Sequence, residues 1–163
     1  MDEHMDVFFR LHAMRWGDRP GVIRGRELQT LHRAVAHDMA RRGRLRLFTM
    51  RMGDEPIASV YGFQHAGRFS YYNAGYDPDW RNASVGLVMI GQAFEAAFNE
   101  GCCEFDFLRG AAGYKFDWAS KQRWLTSVRV HARRGPGTWL TRHERYRDAI
   151  RRLLRRTDGT DDE

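Results

Sequence analysis

The stretch Tyr71-Tyr72-Asn73-Ala74-Gly75-Tyr76-Asp77-Pro78, followed by Ser84-Val85-Gly86 and then by Phe105-Asp106-Phe107-Leu108-Arg109-Gly110, decides how this chain folds. The first piece is rich in aromatic residues that suit a pleated, half-buried surface, and it ends at a proline that has no N–H to give to a ladder. A strand therefore stops at Asp77. Ser84 suits the position before a helix, whose apolar stripe of Leu87, Ile90, Phe94, Ala97 and Phe98 runs to the terminating Gly101. Cys103, Phe105 and Phe107 then alternate with Glu104, Asp106 and Leu108, so Asp106 faces away from the two phenylalanines. A tyrosine-bearing strand, a helix start with unpaired N–H groups and an aspartate-bearing strand become neighbours.

Toward the N-terminus, Val7, Phe8, Leu11 and Met14 recur at helical spacing, and Leu28, Leu31, Val35 and Met39 form a second stripe that stops at Gly43. The period then changes to two over Leu45 to Met52 and again over Ile57 to Phe63, with Gly53-Asp54 between them. Ala66-Gly67 makes the next turn, so three antiparallel strands are expected in a row. Toward the C-terminus, one or two helical turns from Tyr114 to Trp118 lead to a last expected strand, Trp124 to Arg133. Gly135-Pro136-Gly137 reads as a linker. Beyond it, residues 138–156 are expected to form a basic amphipathic helix, and residues 157–163 a disordered tail.

The chain has 163 residues, the usual size of one domain, and a formal charge of +6. Lysine occurs only at Lys115 and Lys121, so the basic character is almost entirely arginine. The two cysteines, Cys102 and Cys103, are adjacent, which rules out a disulfide framework between them and fits a reducing, cytoplasmic setting. The N-terminus lacks the shape of a signal peptide, and no stretch has the length of a membrane-spanning helix. The histidines show no metal-ligand spacing, so no metal is expected.

The order of elements resembles the GNAT superfamily of N-acyltransferases. The motifs Leu11-His12 with Arg15-Trp16, Pro56-Ile57-Ala58, Tyr71-Tyr72 to Tyr76-Asp77-Pro78, Ser84-x-Gly86, Phe105-Asp106-Phe107 with Arg109-Gly110, and Tyr114-Lys115 are similar to the branch that holds CelD-like acetyltransferases and FemAB-type aminoacyl transferases. The resemblance covers roughly residues 5 to 131 and implies an α+β fold: a mixed, mostly antiparallel sheet flanked by helices, here with an Arg-rich C-terminal helix. The GNAT-like domain is expected over residues 5–134, without a first strand before the helix at Val7. That branch commonly carries two GNAT-like lobes, and this chain resembles the second. It departs from the branch in having Val85-Gly86 where Pro-Gly is usual, and it lacks the glycine-rich pyrophosphate loop of typical acetyl-CoA users.

The resemblance implies an acyl group passing from acetyl-CoA, or another acyl-CoA, to an amine on a small molecule, saccharide or peptide. An aminoacyl-tRNA donor is the alternative within the branch. The physics of a helix start supports an anionic donor: the amides around Ser84, Val85, Gly86 and Leu87 carry partial positive charge, and Arg81 lies just before them. An ordinary capped helix beside a solvated arginine is the plainer reading. Asp106 is expected either to take a proton from the attacking amine or to form a structural ion pair with Arg109 or Arg129. Lys115 is a candidate to steady an oxyanion or phosphate, and Tyr114 to protonate the leaving thiolate. His12 and Arg15, one turn of helix with Trp16, together with Tyr72, Tyr76 and Arg109, are candidates to line the acceptor pocket; packing is the competing role for the tyrosines and Trp16. Outside catalysis, the arginines of residues 142–156 suit tRNA, other nucleic acid or an anionic membrane, while a solubilising outer face over the apolar stripe is the plainer reading. A homodimer or a separate partner lobe would complete a site left open by a missing half.

Overall fold

The structure, a computed structural model, describes residues 1–19, 22–126 and 128. The chain divides into two units at residues 122 and 123. The first contains α1 (Asp2–Trp16), α2 (Arg26–Arg41), β1 (Leu45–Met52), β2 (Glu55–His65), β3 (Arg68–Tyr76), a 3₁₀ helix (Pro78–Ala83), α3 (Val85–Asn99), β4 (Glu104–Asp106) and α4 (Gly113–Trp118). The fold is thus mixed α/β, and the three-strand meander runs where the alternation places it. Of the expected strand from Trp124 to Arg133, Trp124 to Thr126 and Val128 have no regular structure, and the rest lies outside the described residues. So do the expected basic helix and the tail.

The sheet has the order β1-β2-β3-β4, antiparallel throughout except for the parallel β3–β4 pair. Helices cover both faces. On one, Met5, Phe8 and Phe9 of α1 meet Ala36 of α2 and Tyr61 of β2; on the other, Val85, Met89, Ile90, Ala93 and Ala97 of α3 meet Val60, Phe69 and Tyr71. Near-parallel rings run through the second layer: Phe48 to Phe69 (6.2 Å), Phe69 to Phe105 (4.8 Å), Phe105 to Phe94 (3.9 Å) and Phe94 to Trp118 (5.2 Å). This column fastens α4 to α3 and the sheet.

Two details of helix packing differ from the apolar stripes. Met14 is exposed at the end of α1, and α2 buries His32 and Ala36 while Leu28 and Leu31 stay exposed. Ile23, in the α1–α2 connection, helps fill the interior beside α2. Gly75 explains how closely α1 approaches the sheet. A Cβ at this position would lie 2.2 Å from the backbone nitrogen of His12, so only glycine lets the helix rest there.

Candidate active site

The sheet opens between β3 and β4. Their parallel pairing covers only Arg68 to Ser70 against Glu104 to Asp106, so Tyr71 to Tyr76 continue without β4 alongside. The cause lies in the residues that follow. Asp106 Oδ1 accepts the Leu108 N–H at 2.8 Å, and Leu108 takes a left-handed conformation with φ 56°. For a branched side chain that conformation costs about 1–2 kcal/mol, and the carboxylate bond offsets part of it. The chain is turned off the sheet at this point.

At the other side of the opening, Asp77 starts the 3₁₀ helix by accepting the Asp79 N–H at 3.1 Å. Ser84 then joins that helix to α3. The expected side-chain cap is absent: Ser84 sits in the left-handed region, φ 53°, and its carbonyl rather than its hydroxyl takes up the amides of Leu87 and Val88 at 2.9 and 3.1 Å. The kink from one helix into the next dictates this geometry. The amides of Val85 and Gly86 come too early in α3 to have an intrahelical acceptor.

A cleft of about 220 Å³ lies at this junction, lined by Arg15, Tyr76, Arg81, Ser84, Val85, Gly86, Leu87, Ile90 and Tyr114. It unites all five residues expected to hold the donor with Arg15, Tyr76 and Tyr114. Gly86 faces the ring of Tyr76, where a Cβ would come to 3.4 Å. Arg15 reaches in from α1. Its guanidinium lies 4.5 Å from the Trp16 ring and 4.9 Å from the Tyr76 ring, and an N–H points to the Ala74 carbonyl at 3.5 Å. Burial raises the pKa of both Tyr71 and Tyr114, while the hydrogen-bonded, charged Arg15 pulls each the other way. Both phenols are therefore protonated at neutral pH.

Five expected site residues lie outside the cleft, and the reasons are local. His12 is buried, its Nδ1 against the Ala74 carbonyl at 3.3 Å and its Nε2 accepting the Ile23 N–H at 3.2 Å. Both ring nitrogens are used inside the protein, and desolvation depresses its pKa. It pins α1 to the sheet and does not line the cleft. Tyr72 is the extra residue of a β-bulge, since Tyr61 pairs with Asn73 and Gly62 with Tyr71. The bulge turns its ring into a cluster with Tyr61, His32 and Phe63, away from the cleft. Lys115 folds back, its ammonium donating to the carbonyls of Phe107 (2.9 Å) and Arg109 (3.0 Å). Burial lowers its pKa, with the Asp106 charge opposing. Asp106 and Lys115 thus hold the loop that follows β4, and neither they nor the exposed Arg109 line the cleft.

The sequence reading missed the carbonyl of Ala74, on which His12, Arg15 and Trp16 converge, the indole N–H at 3.0 Å. The spacing of those three on one helix was the available signal, with Gly75 marking the close approach. Tyr71 and Ile90 also belong to the site's wall or its support.

The family model described as "Acetyltransferase (GNAT) domain" matches residues 1–116. The chain belongs to this family. This GNAT acyltransferase has the fold of two solved structures. One is AAC(6')-Iy in complex with the bisubstrate analog CoA-S-monomethyl-acetylneamine, at TM-score 0.56 and 12% identity, covering 80% of this chain and 93% of that one. The other is aminoglycoside antibiotic 6'-N-acetyltransferase AAC(6')-IG from Acinetobacter haemolyticus, apo, at TM-score 0.53 and 14% identity, covering 83% and 96%. Among curated proteins, no sequence matches significantly. Among the described residues of the GNAT domain, no three histidine, cysteine, aspartate or glutamate side chains are grouped to hold a metal ion, and no helix is long and apolar enough to cross a membrane.

Proposed function

We propose that the cleft transfers an acyl group from acetyl-CoA, or another acyl-CoA, to an amine. The observation that carries this is the meeting, in one hollow, of the α3 amides and Arg81 with Tyr76 and Tyr114 beside the opening of the sheet. The anionic part of the donor lies on the Val85 and Gly86 amides, with Arg81 adding a charge-assisted contact. A fold neighbour was solved with a CoA bisubstrate analog, which agrees with a CoA donor. The glycine at position 86 leaves room against Tyr76 for a slender chain to pass.

The amine attacks the thioester carbonyl as its free base. A C–N bond forms, the C–S bond breaks, and the proton shed by nitrogen passes to solvent. Tyr114 protonates the departing thiolate and is reprotonated from water; its raised pKa keeps it in the acid form that this step needs. Asp106 and Lys115 act at one remove, by fixing the turn that opens the sheet and the loop that leads to α4. The likeness of the Tyr71 to Lys115 motifs to CelD-like enzymes supports an acceptor from saccharide or cell-envelope chemistry.

The test is thiol release from acetyl-CoA with a panel of amines, run for wild type and Tyr114→Phe. Wild type is expected to release coenzyme A only when an acceptor amine is present. Tyr114→Phe should lose on the order of 100-fold in kcat, with KM for the donor little changed. Full activity in the variant would remove Tyr114 from the reaction.

A further inference from the structure

We infer that the acceptor amine carries a carboxylate, which Arg15 holds. The inference rests on the acyltransferase reading above and names the class of its second substrate. Arg15 is a half-buried guanidinium with five N–H donors, and every partner it has is uncharged: the Ala74 carbonyl, the Tyr71 and Tyr114 phenols, and the Trp16 and Tyr76 rings. Among the described residues no carboxylate lies within ion-pair distance of it.

The contrast with two other arginines makes this informative. Arg33 and Arg46, whose side chains are 27% and 23% exposed, are paired with Asp6 and Glu100. At these two places outside the cleft the protein supplies a counter-charge, which offsets the desolvation. At the cleft it leaves that place to a ligand.

Arg15 enters the cleft from a different element than the groups assigned to the donor. Arg81 belongs to the 3₁₀ helix that leads into the α3 amides, whereas Arg15 comes from α1 and lies against Tyr76 and the phenol assigned the acid role. A carboxylate there meets a planar donor fork that neighbouring rings hold in place. The described lining of the cleft contains two arginines and no acidic residue. A polycationic acceptor would be repelled, which separates this site from the aminoglycoside chemistry named for one of its fold neighbours.

The experiment compares acetyl transfer to matched amines: amino acids and dipeptides with a free carboxylate, the same compounds as carboxamides, and an aminoglycoside. The carboxylates are expected to exceed the carboxamides in kcat/KM by on the order of 10- to 100-fold, chiefly through KM. Arg15→Gln should abolish the discrimination and Arg15→Lys reduce it, with coenzyme A affinity by calorimetry equal in all three proteins. Thermal melts establish that each variant is folded, and Arg15→Lys carries the comparison if Arg15→Gln is not. Equal use of both sets, a preference for the aminoglycoside, or no transfer to any carboxylate-bearing amine overturns the inference. So does weakened coenzyme A binding in the Arg15 variants, which would assign Arg15 to the donor. Failure of wild type to bind coenzyme A overturns instead the acyltransferase reading beneath it.

Discussion

His12 of α1 and Tyr114 of α4 show how burial gives two ionisable groups opposite shifts and different tasks. His12 is neutral because both its nitrogens serve uncharged backbone groups in a desolvated place. Its folded pKa is depressed below 6.5, so the unfolded chain binds the proton more readily. Stability is full above the unfolded value and declines as pH falls below it toward the depressed folded one; His32, depressed by burial, adds in the same direction. Urea melts at about pH 7.5 and pH 5 should show the loss, and His12→Gln should shrink the difference while lowering stability at both. Equal pH dependence in wild type and variant would exclude His12 as the source. Tyr114 has the opposite shift, upward from 10, so its deprotonation would lower kcat only at pH above 10. A falling limb near neutral pH that disappears in Tyr114→Phe would contradict this.

At the scale of elements, the site depends on two glycines and one turn. Gly75→Ala would drive a Cβ into the α1 backbone, a collision that no side-chain rotation relieves. We expect it to destabilise the fold by about 3 kcal/mol or more, read in chemical denaturation. Gly86→Ala meets only the Tyr76 ring at 3.4 Å, so the fold should survive while the cleft narrows. Lys115→Met should loosen residues 107–110, seen as faster amide exchange there, with a secondary loss of turnover. The elements themselves were legible from sequence because their periods are clear: two from Leu45 to Tyr76, and 3.6 across α3. What was not legible arose where the backbone leaves those periods. The bulge at Tyr72 reversed its face, the left-handed Ser84 replaced a side-chain cap by a carbonyl, and Leu108 ended β4 after three residues. None of these has a glycine to announce it. Lys115 attracted a catalytic expectation as a rare lysine in an arginine-rich chain, and its ammonium donates to two carbonyls that no sequence pattern announces.

In the first unit as a whole, an aromatic column supports the cleft. Phe94 and Phe105 stack at 3.9 Å in the middle of that column, with Trp118 of α4 on one side and Phe69 of β3 on the other. Phe105→Ala should cost about 3–5 kcal/mol and release α4, and with it Tyr114, from its place. This cleft is the place proposed to receive the acyl-CoA. Calorimetric titration of coenzyme A into wild type, Arg81→Ala and Gly86→Val tests it most directly. Wild type is expected to bind, with binding weakened on the order of tenfold by Arg81→Ala and more strongly by Gly86→Val, and with the fold of both variants intact. Absence of binding by wild type, or affinities unaltered in both folded variants, would contradict it.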